Sequence, residues 1–243
     1  IAAVAGFVFL RPGRVPGQSA PVRVTREEPI VSRTLFDPTR PPPDMPELTP
    51  PEAGVCRTTY ELQAGVTYSA ERLSRTAARI SVDGLEIVTR VRFEIFTAQG
   101  APPKLLAHEE GHRSIGEHYY EDAARIAGEI GKRLIGTTFD GDGADQEAAQ
   151  HNAFEKVVAA IERDYMARMR TPSAAANERF DEITSHGLDA IDEADAIAVA
   201  IAAVGARWSS DPARRGSSSA RQAFHQDVDD AEGDEQERYG DRD

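Results

Sequence analysis

The sequence predicts an α+β fold, with a small antiparallel sheet followed by a long helix and a C-terminal helical part. Two patterns carry the prediction. From Leu85 to Phe96, Ile87, Thr89, Val91, Phe93 and Ile95 alternate with Val88, Arg90, Arg92 and Glu94, the period-two signature of a strand with one buried and one mostly charged face. From Lys104 to Leu134 the residues Leu105, His108, His112, Ile115, Tyr119, Ala123, Ile126 and Ile130 recur every three or four positions with no intervening proline, the stripe of an amphipathic helix. Strands before this helix and helices after it place the chain in the α+β class.

The elements follow in order. Residues 1–10 are wholly apolar and precede Arg11. They are too short to span a bilayer, which takes about 20 residues, and read as a hydrophobic anchor or signal remnant. Residues 11–54 hold 11 of the 15 prolines and read as a Pro-rich linker. A domain over 55–208 follows. Its expected elements are a strand from Val55 to Leu62, a short helix from Ser69 to Ala78, the Leu85–Phe96 strand and the long Lys104–Leu134 helix. After a loop from Gly136 to Asp145 come a helix from Gln146 to Arg170, ended by Thr171-Pro172, and helices over Ala174–Thr184 and Leu188–Trp208. Residues 209–243 have almost no apolar periodicity, and their last 18 carry nine acids against two arginines, so they read as a disordered acidic tail.

Charge and cysteine content exclude several functions. The 28 Lys and Arg against 41 Asp and Glu give a formal charge of −13, so no nucleic-acid partner is expected. One cysteine, Cys56, excludes an intrachain disulfide framework and a cysteine-rich zinc module. Asp140, Asp142 and Asp145 alternate like a calcium loop, but the position that needs a bidentate Glu holds His151.

The chemistry lies on the long helix, in His108-Glu109-Glu110-Gly111-His112. On a helix, residues i and i+4 point within about 40° of each other, so two imidazoles at this spacing can share one Zn²⁺. Glu109 projects beside them as a general base and acid. A catalytic zinc needs a third protein ligand and an open position. His118, Glu121 and His186 are the candidates. His118 has the spacing of the H-E-x-x-H-x-x-G-x-x-H proteases, but Ile115 stands where their glycine turns the chain. On a continuous helix His118 points about 80° away from His108.

The pair formed by His108-Glu-Glu-Gly-His112 and the later Phe180-Asp181-x-x-Thr184-x-His186-Gly187 resembles a family of bacterial envelope proteins. That family was catalogued as a domain of unknown function and is now described as predicted zinc-dependent proteases. The resemblance covers about 55–195. It implies a zincin-like fold, a periplasmic or secreted location and a zinc site. His108, His112 and His186 would be the ligands, Glu109 the catalytic base, and Asp181 and Thr184 the partners that orient His186. The function expected is hydrolysis of a protein or peptide substrate, aligned by β-augmentation along the Leu85–Phe96 strand. The N-terminal segment would tether the domain to the membrane if uncleaved. The competing reading is a catalytically inactive zincin-like protein that binds metal or a partner.

Overall fold

The computed structural model describes residues 21–48, 53–189 and 191–210. In chain order its elements are β1 (Val22–Arg26), β2 (Ile30–Phe36), β3 (Gly54–Arg72), β4 (Ala77–Ala98), α1 (Pro103–Glu121), α2 (Ala123–Leu134), β5 (Thr138–Asp142), α3 (Gln146–Thr184) and α4 (Glu193–Ser210). The chain divides into two compact units, 1–204 and 205–243. The second is described only over 205–210, the end of α4, and the site lies in the first. The hydrophobic 1–10 segment and the acidic tail beyond 210 lie outside the described residues. Among the described residues no helix is long and apolar enough to cross a membrane.

β4 is the spine of the sheet. One edge pairs antiparallel with β3 from Arg72↔Ala78 to Gly54↔Thr97. The other edge is filled by three short strands: β5 antiparallel against 77–81, β1 parallel against 85–89 and β2 parallel against 92–98. The molecule is broadly α+β, but the small antiparallel sheet of a zincin-like arrangement is corrected to a five-stranded mixed sheet. The parallel strands come from the stretch expected to be linker. Pro21, Pro29 and Pro38 bracket β1 and β2 without interrupting them. Each strand keeps its backbone donors, and Val22, Val24, Ile30 and Val31 are β-formers.

β4 therefore has no open edge where its neighbours pair, and the expected peptide alignment along Leu85–Phe96 is ruled out. Among the described residues β3 pairs only with β4. A register shift between Thr67 and Tyr68 leaves Asp83 unpaired in β4. One extra residue flips side-chain parity: Ile80 and Val82 face the core before it, and Leu85, Ile87, Val91 and Phe93 after it.

The helices pack on this inward face. Tyr60, Leu62, Ala64 and Val66 of β3 join Tyr120, Ile126, Ile130, Phe154, Val157, Ile161, Tyr165 and Met169 in one core. Several expected boundaries move. The short helix over 69–78 is the end of β3 and its hairpin into β4, because cross-strand pairing outweighs the weak helical preference of a short polar stretch. The 136–145 loop contains β5. A Cβ on Gly141 would stand 2.1 Å from the Ala149 carbonyl oxygen, so only glycine lets β5 lie this close to α3. The long helix is two, joined at Asp122.

The most consequential difference is at Pro172, which sits buried inside α3 without ending it. A proline removes one helical donor and costs about 3 kcal/mol or more in an isolated helix; here core packing along the same helix offsets that. The unbroken helix carries Asn177, Asp181 and Thr184 up against α1.

Candidate metal centre

α1 passes the position of the missing turn glycine and continues to Glu121. His108 and His112 therefore share one face, and His118 lies exposed against Tyr119, away from the site. Two glycines bring the neighbouring elements close. A Cβ on Gly116 would stand 2.5 Å from Phe93 Cε1, and one on Gly111 would stand 2.5 Å from Phe180 Cζ. Gly111 thus admits the ring of Phe180, which stacks on His108 at 4.8 Å between centroids and meets the edge of His112 at 5.2 Å.

α3 faces α1 with Ser173, Asn177, Asp181 and Thr184, spaced by four, four and three residues, which is one helical stripe. Asp181 Oδ1 lies 3.1 Å from His108 Nε2 and 3.0 Å from His112 Nε2, and the two Nε2 atoms are 3.2 Å apart. His108, His112 and Asp181 form the described group whose donor atoms all lie within 4.8 Å of one another.

The far nitrogens are also held. Asn177 Nδ2 donates to the Ser173 carbonyl at 2.8 Å, which turns Asn177 Oδ1 toward His112 Nδ1 at 2.7 Å. His112 therefore carries a proton on Nδ1 and donates it to Asn177. The Thr184 hydroxyl donates to the Phe180 carbonyl at 2.8 Å, so its oxygen is left to accept from His108 Nδ1 at 3.4 Å. Both imidazoles then turn unprotonated Nε2 atoms toward a carboxylate oxygen. Three lone pairs converging within about 3 Å repel unless a proton or a cation sits among them. Burial opposes the charge on Asp181, but a proton shared with the His108 or His112 ring outweighs burial and holds its carboxyl well below the usual range. Burial likewise opposes charge on His112, and Asp181 overcomes it and raises the imidazole above its ordinary value. The pocket favours positive charge, and two nitrogens and one oxygen with outer hydrogen bonds could hold a metal ion.

Glu109 is buried beside the pair, and Gly54 at the start of β3 passes it so closely that a Cβ would stand 3.0 Å from Glu109 Oε1. Glu110 points elsewhere. It accepts from Arg33 and Arg113, each at 2.6 Å, fastening β2 to α1, and these cations lower its pKa, Arg33 most. The cavity over the site holds about 310 Å³ and is lined by β3 residues Gly54–Cys56, Thr58 and Tyr60 and by the facing helices. The Tyr60 hydroxyl bonds the Gly116 carbonyl at 3.0 Å and Ser173 Oγ at 2.9 Å, tying β3, α1 and α3 together.

His186 lines the same cavity. Its side chain is 55% exposed and its Nδ1 stands 3.8 Å from Asp181 Oδ1. Ser185 and His186 both adopt left-handed backbone, at φ 48° and 55°, before Gly187 at 77°. Non-glycine residues pay roughly 1–2 kcal/mol each for that conformation. The turn is held by the His186 amide donating to the Asp181 carbonyl at 3.1 Å and the Gly187 amide to Thr184 Oγ1 at 3.4 Å.

Compared with known proteins, the chain matches no family model, no curated protein and no solved structure.

The structure thus brings His108, Glu109, His112, Asp181 and His186 to one cavity. Asp181, expected only to orient His186, touches both motif imidazoles directly. Asn177 carried no motif of its own; its position four residues before Asp181 was the available signal.

Proposed function

We propose that this chain is a zinc-dependent peptidase of the bacterial envelope, with His108, His112 and Asp181 as the protein donors and Glu109 as general base and acid. The observation that carries this reading is the meeting of Asp181 Oδ1 with both Nε2 atoms on the helix that carries Glu109. Zinc held there would supply Lewis acidity toward a water and toward the scissile carbonyl. Asn177 and Thr184 keep the Nδ1 protons in place and so keep both Nε2 atoms available. Glu109 accepts a proton from the attacking water and returns it to the leaving amine. β3, whose first residues line the cavity, offers an extended substrate a strand edge beside the donors.

The test is paired. Zinc-loaded protein should hold about one Zn²⁺ per chain by elemental analysis, and it should hydrolyse a casein substrate. Glu109→Gln should keep the metal and lose at least about a hundredfold in turnover, the usual contribution of a positioned base. Equal hydrolysis by the variant refutes the role of Glu109; the absence of bound transition metal after loading refutes the site.

A further inference from the structure

Behind His108, on the side away from the cluster, lies Glu193, the first residue of α4. Its Oε2 stands 3.9 Å from His108 Nδ1. Both carboxylate oxygens are buried and accept no hydrogen bond. Burying a carboxylate without hydrogen bonds is unfavourable unless an opposite charge compensates it. Helix capping does not account for its position, because Asp192 already takes that role: Asp192 Oδ1 accepts the amides of Ala194 and Asp195 at 2.9 and 3.1 Å. Among the described residues, His108 is the ion-pair partner of Glu193.

We infer that Glu193 is a positioning residue that acts through His108 and couples occupancy of the metal site to the docking of α4. This rests on the reading that His108 Nε2 holds a metal. An imidazole that gives its Nε2 lone pair to a cation becomes more positive at Nδ1–H, and the Glu193 carboxylate then gains a partner that compensates its burial. The effect is reciprocal by linkage: whatever factor the docked Glu193 adds to metal affinity, the metal adds to the docked population of α4. The fully buried side of α4 is small-residued, Ala196, Ala200 and Val204, with Ile197 and Ile201 half-buried beside it.

The experiment uses the full chain and zinc ion alone, with two readouts. Zinc affinity is measured by competition with a chromophoric chelator, for wild type, Glu193→Gln and Glu193→Asp. Backbone hydrogen exchange is followed over 196–204 with and without zinc. The glutamine variant should bind zinc tenfold to a hundredfold more weakly, and the aspartate variant should recover part of that loss. In wild type, zinc should slow exchange in 196–204 by a comparable factor. Unchanged exchange there on zinc binding overturns the coupling and needs no variant. Zinc affinity in Glu193→Gln within threefold of wild type overturns it as well, with β4 exchange confirming an intact fold. If wild type binds no zinc, both the coupling and the peptidase reading fall. Tight zinc binding with no effect at Glu193 or α4 removes the coupling alone.

Discussion

Gly111 gives the sharpest test of how the motif helix meets α3. In Gly111→Ala the added Cβ would stand 2.5 Å from Phe180 Cζ and 2.9 Å from Cε1, where ordinary contact begins near 3.4 Å. The ring must retreat by about 1 Å, and it is buried between His108 and α1. Overpacking of this kind costs typically 1–3 kcal/mol, against which the better helix propensity of alanine returns at most about 1 kcal/mol. The net loss should be about 1–2 kcal/mol, or a fall in Tm of roughly 2–8 °C for a domain of this size. Because the displaced ring stacks on His108, zinc affinity should fall too. Thermal unfolding of metal-free protein followed by zinc titration measures both. Phe180→Leu should be destabilising alone yet rescue Gly111→Ala, so the double-mutant cycle should show coupling of at least about 0.5 kcal/mol. A variant as stable as wild type, or strictly additive losses, would refute the packing account of this glycine.

Other outcomes follow from the same geometry. Asp181→Ala should weaken zinc binding by well over tenfold and by more than His186→Ala does, since Asp181 touches both imidazoles; the reverse order in a chelator competition would return the third position to His186. His118→Ala should leave zinc affinity unchanged, because that side chain lies exposed off the site. Tyr60→Phe should cost about 1–2 kcal/mol in denaturant unfolding, the usual loss for a buried hydroxyl with partners, while zinc stoichiometry stays at wild type. Burial and the nearby Glu109 push the Cys56 thiol up to about 12. A raised thiol pKa keeps the sulfur protonated at neutral pH, so native protein at pH 8.5 should react with iodoacetamide on the order of a thousandfold more slowly than urea-unfolded protein. Equal rates would show that Cys56 is not held this way.

The local patterns of this chain were written in its residues. The alternation of Ile87 to Ile95 specified β4, and the three- and four-residue recurrence around His108 and His112 specified α1 and the shared face of the two imidazoles. Such features depend on periods of two and 3.6, which a sequence displays directly. The continuation of α1 past Ile115 was legible for the same reason. What the sequence could not decide were the outcomes of competition between distant segments. Pro172 carries a local signal to stop a helix, yet α3 runs on to Thr184 because packing along both sides of the proline outweighs one lost donor. The prolines around β1 and β2 suggest a linker by composition, while pairing with the outer edge of β4 makes strands of the residues between them. Asp181 is the clearest case. Its neighbours in sequence mark it only as part of a motif, and its placement between His108 and His112 exists because an unbroken α3 brings residues 73 and 69 positions later in the chain within 3.1 Å of the two rings. Long-range juxtaposition of that kind is set by the packing of whole helices, and no local pattern records it.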